Sequence, residues 1–267
     1  MPMNFPIYQI DAFAEELFTG NPAAVVVLTT WLDDAILQNI AAENNLAETA
    51  FIVKVENDFE IRWFTPKVEV DLCGHATLAA GYVVSTIINM GTKQVVFNSP
   101  KSGKLIVENN EPIYTLDFPI DDIKPCIQNA PDHLVHGIGK QYIECFKGKT
   151  DYLLVYENES EIREIQPNFE ILAKLEGRGV IVTAPSSGSC DFVSRFFAPQ
   201  SGIPEDPVTG SAHTTLVPYW ANKLGKKEFV AEQLSERTGL LHCTLNGGRV
   251  KISGKVKLYL KGEIFIS

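Results

Sequence analysis

A few residues in this chain combine useful chemistry with a constrained setting. Glu48 stands in Asn45-Leu46-Ala47-Glu48-Thr49, just ahead of the apolar run Ala50-Phe51-Ile52-Val53, and is expected in the turn that opens that strand. A carboxylate half-buried there can take and return a proton as a general acid/base, although a glutamate in a turn is ordinarily solvated. His75 follows Gly74 at a predicted helix start, where an imidazole can orient a carboxylate or donate to a ligand. Asp206, in Pro204-Glu205-Asp206-Pro207, is a third acid/base candidate; its plain alternative is a turn aspartate ahead of proline. Cys73 precedes Gly74 at the same helix start, a place that favours a thiolate.

Two glycine-led segments, Gly74-His75-Ala76-Thr77 and Gly210-Ser211-Ala212-His213, are predicted helix N-termini. Such ends carry unpaired N–H groups and partial positive charge, so they hold carboxylates without arginine. Glycine lets the backbone come close to a ligand. Gly74, Ala76, Gly210 and Ser211 are therefore the candidate substrate-binding residues, against the plainer reading of ordinary capped helix starts.

The segments belong to an internal repeat. Phe59-x-x-Arg62-Trp63-Phe64-Thr65-Pro66 returns as Phe192-x-x-Arg195-Phe196-Phe197-Ala198-Pro199, and Ser99-x-x-x-Gly103-x-Leu105 as Ser235-x-x-x-Gly239-x-Leu241. Two related halves imply a pseudo-twofold molecule with its site at the seam. The copies differ where chemistry is expected: Cys73 answers Thr209, His75 answers Ser211, and Glu205-Asp206-Pro207 is an insertion. A cysteine-pair racemase needs a second thiol at the matched position, and threonine stands there.

The elements that must position these residues can be read from periodicity. In the first half, strands are predicted at 7–13, 23–28, 50–53, 60–64, 94–98, 104–107 and 114–118. A helix over 34–44 is capped by Asp33, and a helix runs from Gly74 through Ile88 to end near Gly91. That second helix is apolar nearly all round, so a sheet should wrap it. The second half repeats the order, with strands at 152–156, 179–183, 191–197, 240–245, 249–253 and 257–261 and a helix from Gly210 to Leu224. The predicted class is α+β: two similar domains, 1–119 and 120–267, each a barrel-like, mostly antiparallel sheet around a central helix. The sequence leaves open whether the last strand returns to the first domain.

Composition narrows the functions. The chain has 267 residues, 45% of them hydrophobic, and a formal charge of −10; the acidic balance argues against nucleic acid. No stretch reaches the roughly 18 apolar residues of a membrane helix, and the N-terminus lacks the pattern of a signal peptide. Five cysteines without framework spacing fit free thiols in a reducing cytosol. His133-x-x-His136 has no third ligand, Gly137-Ile138-Gly139 is an incomplete dinucleotide fingerprint, and no P-loop or Gly-x-Ser-x-Gly elbow occurs.

Several of these segments resemble the PhzF-like phenazine-biosynthesis isomerase family, within the diaminopimelate-epimerase-like fold. They are Asp11-Ala12-Phe13 with Gly20-Asn21-Pro22-Ala23, Asn45-Leu46-Ala47-Glu48-Thr49, and Arg62-Trp63-Phe64-Thr65-Pro66. Asp71-Leu72-Cys73-Gly74-His75-Ala76-Thr77 and Glu205-Asp206-Pro207-Val208-Thr209-Gly210-Ser211-Ala212-His213 complete the set. The resemblance implies isomerisation without cofactor or metal, Glu48 as the proton shuttle, His75 and Asp206 as assisting residues, and Gly74 and Ser211 in ligand-holding turns. The expected partner is a small-molecule carboxylate substrate, with no nucleic acid and no membrane; the expected assembly is a homodimer in the cytoplasm. Two alternatives stand beside it: a racemase or epimerase of amino or hydroxy acids using Cys73, and a metabolite-binding or protein-interaction module without turnover.

Overall fold

The computed structural model describes residues 3–126, 128 and 130–266. They form two compact units, one from the described residues of Met1–Asp117 and Ser253–Ser267, the other from Phe118–Ile252.

The first unit contains β1 (Met3–Ala12), β2 (Asn21–Leu28), α1 (Asp34–Asn44), β3 (Glu48–Val55), β4 (Asp58–Phe64), β5 (Glu69–Val70) and α2 (Gly74–Tyr82). β6 (Gln94–Ser99), β7 (Gly103–Asn110) and β8 (Ile113–Pro119) follow, and the chain's last strand, β17 (Arg249–Ile266), completes it. Pairing runs β17–β1–β2–β3–β4–β6–β7–β8 and returns from β8 to β17, which closes an eight-stranded barrel. Within this ring β2–β3 and β4–β6 are parallel. Alternation along β4 and β7 turns Phe59, Ile61, Trp63, Leu105 and Val107 inward, the two-residue period of a half-buried strand.

Every residue of α2 from Gly74 to Gly81 is buried, and the helix packs against β1, β2, β3 and β7. A helix apolar all round needs such a wrapping. Closure depends on Gly81, where a Cβ would lie 2.5 Å from the Val107 side chain. The helix continues as a π-helical segment, Val83–Ile88, and the chain turns away at Gly91, whose φ is +85°. On the sheet's other face, Leu37 and Ala41 of α1 pack on Val26, Phe51, Val53 and Phe64. Asp33 sits at the N-cap of α1, but its side chain makes no cap hydrogen bond, which corrects the expected capping role.

The second unit contains β9 (Lys124–Pro125), α3 (Asp132–Ile138), β10 (Glu144–Lys147), β11 (Asp151–Val155), α4 (Glu159–Glu164), α5 (Phe169–Leu172) and β12 (Gly179–Pro185). β13 (Phe192–Ala198), β14 (Ile203–Glu205), α6 (His213–Leu224), β15 (Glu228–Gln233) and β16 (Gly239–Asn246) follow. Its two parallel pairings, β11–β12 and β13–β15, echo β2–β3 and β4–β6. Trp220 of α6 stacks on Phe192 at 5.5 Å and donates its indole N–H to Thr183 Oγ1. Leu134 and Ile138 of α3 and Leu172 of α5 join Leu154, Val180, Val182 and Phe197 in a separate core cluster.

Three more readings are corrected. The strands predicted at 249–253 and 257–261 are one continuous strand, β17, because Gly254 breaks the apolar pattern without breaking the ladder. The helix predicted from Gly210 begins as a 3-10 turn, Gly210–Ala212, and is α-helical from His213. Cys126 and Cys145 are joined by a disulfide across the β9–β10 pairing, with Cα atoms 5.3 Å apart. That separation suits a bridge; the spacing in sequence gave no hint of it. Cys73, Cys190 and Cys243 are free thiols.

Candidate active site

Glu48 is the first residue of β3, not a turn residue, and pairs with Ala23 across the parallel β2–β3 ladder. The ladder fixes its backbone where the strand emerges from the Asn45 turn, a left-handed residue (φ 48°) that ends α1. Its side chain is buried, with the residue only 8% exposed. His75, the second residue of α2, brings Nε2 to 3.2 Å from Glu48 Oε2. The ring is held from its other side, where Nδ1 lies 3.1 Å from the Asn21 amide nitrogen and 3.5 Å from Cys73 Sγ. Asn21 opens β2 directly after Gly20, which adopts φ +70° and has no room for a Cβ, since one would fall 2.3 Å from the Ala12 carbonyl oxygen.

The Glu48–His75 contact is close but not aligned as a hydrogen bond, and Glu48 Oε2 has no hydrogen-bond partner while lying out of solvent. A buried carboxylate oxygen is normally satisfied, and one set beside an imidazole without an aligned bond makes Glu48 a candidate for chemistry. Burial pulls the His75 imidazole toward neutrality, but Cys73 and Glu48 outweigh it and hold the ring well above its ordinary range. Cys73 itself is pushed up to about 11 by burial and by the Glu48 charge. Burial therefore disfavours the Cys73 thiolate. The structure thus brings Glu48, Cys73 and His75 together at the mouth of α2, with Gly74 and Ala76 buried alongside.

In the second unit Asp206 is buried, and its Oδ2 accepts from Thr209 Oγ1 at 2.5 Å. Gln233 ties that turn down, accepting from the Thr209 N–H and donating to the Asp206 carbonyl. Gly210 follows, buried; Ser211 is half-buried, and its Oγ accepts from Arg178 Nη1 at 2.7 Å. Arg178 also pairs with Asp151. His133 and His136 are exposed on α3 and gather no third ligand among the described residues.

Asn21, Gln233 and Arg178 escaped the sequence reading. Asn21 had a signal, the Gly-Asn-Pro turn before an apolar strand; Gln233 and Arg178 are distant in sequence from the residues they hold.

A barrel around a buried helix, with an acid and an imidazole at the start of that helix, defines an α+β protein of the epimerase-like fold. The model of the phenazine biosynthesis-like proteins, PhzC-PhzF, matches residues 10–263, and the chain belongs to that family. It is 48% identical to an uncharacterized isomerase of Pseudomonas aeruginosa, over 99% of this chain and 100% of the relative. It matches the crystal structure of a PhzF family protein of Enterococcus faecalis with a TM-score of 0.91 and 45% identity, over 99% of this chain and 100% of that one. A hydroxyproline epimerase of Agrobacterium vitis shares the fold alone, with a TM-score of 0.61 and 10% identity over 98% of this chain and 91% of that one. Among the described residues, no helix is long and apolar enough to cross a membrane.

Proposed function

We propose that this isomerase works without a cofactor, moving one proton within a small, conjugated, carboxylate-bearing metabolite with Glu48 as its single acid/base. The observation that carries the reading is the buried Glu48 Oε2, free of hydrogen bonds and 3.2 Å from His75 Nε2. The carboxylate takes a proton from a carbon acidified by a neighbouring electron-withdrawing group, leaving the electron pair delocalised over the conjugated system. It then returns the proton to another carbon of the same molecule, so substrate and product have the same composition and charge. A single base serving both transfers suits a shuttle across one face of a flat system. His75, 3.2 Å from the carboxylate, stabilises negative charge as it develops.

Gly74 and Ala76, at the start of α2, are proposed to hold the substrate carboxylate through backbone N–H groups; Gly210 and Ser211 carry the same assignment in the second unit. Asp206 is proposed as an assisting acid. The racemase alternative is weaker, because Cys73 is held protonated and its repeat mate, Thr209, is a hydroxyl already bonded to Asp206.

The test is Glu48→Gln, which keeps shape and hydrogen bonding but removes the shuttle. We expect a folded protein whose turnover, or whose exchange of substrate protons with deuterated solvent, falls by at least about 10²–10⁴-fold. Activity within a few-fold of the unaltered protein would sink the assignment. The proposed homodimer and cytoplasmic location are read by sedimentation and by cell fractionation.

A further inference from the structure

The mouth of α2 holds more than the proton shuttle requires. Glu48, Cys73 and His75 offer a carboxylate oxygen, a thiol sulfur and an imidazole nitrogen, and one ligand atom from each lies within 4.8 Å of the others. His75 Nε2 is 3.2 Å from Glu48 Oε2 and 4.0 Å from Cys73 Sγ. Tetrahedral zinc, with bonds of about 2.3 Å to sulfur and about 2.0–2.2 Å to nitrogen and oxygen, sets these separations at roughly 3.4 Å for N–O and roughly 3.6 Å for S–N. These two separations differ from the ideal by a few tenths of an ångström, within reach of side-chain rotation, and the sulfur and carboxylate oxygen lie within 4.8 Å of each other. Glu48 Oε2 has lone pairs to give, since no hydrogen bond occupies it.

We infer that Glu48, Cys73 and His75 form a three-ligand site for a thiophilic divalent cation such as Zn²⁺, which switches the enzyme off by occupying the proton shuttle. The sulfur makes the choice of cation: a thiolate with an imidazole selects zinc or cadmium, whereas magnesium and calcium prefer all-oxygen shells. Charge balances as well, because a thiolate and a carboxylate neutralise the dication. On binding, the Cys73 thiol and any Nε2 proton of His75 leave to solvent. His75 then directs Nδ1–H at Asn21, whose amide lies 3.1 Å away and can turn its oxygen to accept, the usual outer support of a metal-bound histidine. A three-ligand set keeps a fourth position open for water. Cys73, which the proposed shuttle does not use, thereby acquires a role. Metal binding stands independently of the proposed reaction; the inhibitory consequence rests on Glu48 as its base.

The test starts with Cd²⁺ alone, titrated into the full chain without substrate while the ultraviolet thiolate-to-cadmium charge-transfer band is recorded. We expect a band saturating at one equivalent, unaffected by Mg²⁺ or Ca²⁺, lost in Cys73→Ala and retained in Cys190→Ala. Zn²⁺ affinity by calorimetry should fall by more than about tenfold in His75→Gln. X-ray absorption at the zinc edge of the unaltered protein gives a readout that no variant can spoil by misfolding: one sulfur and two or more nitrogen or oxygen neighbours. No binding, a band that survives Cys73→Ala, or a zinc shell without sulfur overturns the site. If Zn²⁺ binds through this shell but leaves turnover unchanged, the inhibitory switch fails and Glu48 is not the shuttle. Inactivity of Glu48→Gln with no metal binding in the unaltered protein would instead leave the shuttle standing and the metal site refuted.

Discussion

The two helix starts, at Gly74 and at Gly210, share one construction. In the first, Thr77 Oγ1 donates back to the Cys73 carbonyl at 2.5 Å; in the second, His213 Nδ1 lies 3.0 Å from the carbonyl of Thr209, the repeat mate of Cys73. The repeated arginines also behave alike. Arg62 lies over the Phe64 ring and binds Glu69, and Arg195 lies over the Phe197 ring and binds Glu205. The difference is in the acid. Thr49 pairs with Phe64, and Val180 pairs with Phe197, the repeat mate of Phe64, so the second-unit counterpart of Glu48 is Gly179. A Cβ there would sit 2.5 Å from Phe196 Cζ and 2.8 Å from the Phe197 carbonyl oxygen. A duplicated frame thus keeps one acid at this strand position, the second copy being closed by packing.

The histidines diverge in the same sense. Cys73 and Glu48 hold His75 well above its ordinary range, whereas burial without such neighbours drives His213 down to about 4. The first ring has its charged form favoured, and the second is a neutral hydrogen-bond donor to the Thr209 carbonyl.

The contrast can be broken most severely at its chemical end. Beside the large loss expected of Glu48→Gln, His75→Gln should lower turnover by roughly 10²-fold, the scale of one lost electrostatic stabiliser, as read by steady-state kinetics. Asp206→Asn, which keeps an acceptor for Thr209, should cost about tenfold with little change in melting temperature. An effect as large as that of Glu48→Gln would make the second unit an equal partner in proton transfer.

Gly179→Ala tests the packing side. It should destabilise the protein by about 1–3 kcal/mol, the usual cost of overfilling a tight core, measured by urea unfolding. A neutral result would mean that the second copy could have kept an acid.

The histidines predict opposite pH trends. The pKa of His75 is raised by folding, so its contribution is complete below about pH 6.5 and is lost as pH climbs through the raised value. The pKa of His213 is lowered, so its contribution is present above about pH 6.5 and is lost as pH falls toward about 4. Melting temperatures of His75→Gln and His213→Gln, each against the unaltered protein, should therefore converge with it at opposite ends of the range. The smallest effect is expected from Cys73→Ser in metal-free buffer, which should keep turnover within a few-fold; a large loss with stability intact would favour the cysteine-epimerase reading.

Much of this was legible in the chain itself. The repeat announced two similar units; the all-apolar stretch after Gly74 announced a helix wrapped by its sheet; the runs around Glu48, His75 and Asp206 carried the family. These are local signals, since periodicity and turn chemistry act within a few residues. The sequence did not yield the contacts made across long separations. The disulfide from Cys126 to Cys145, the fusion of two predicted strands into β17, and Asn21 holding His75 all depend on which strands become neighbours. Glu48 shows the division most clearly. Its residue type and its place before a strand could be read from the sequence, but its burial, its bare oxygen and its distance from His75 follow from α2 being threaded through a closed barrel. Local chemistry selects the groups, and only the fold can take them out of water and set them within reach of one another.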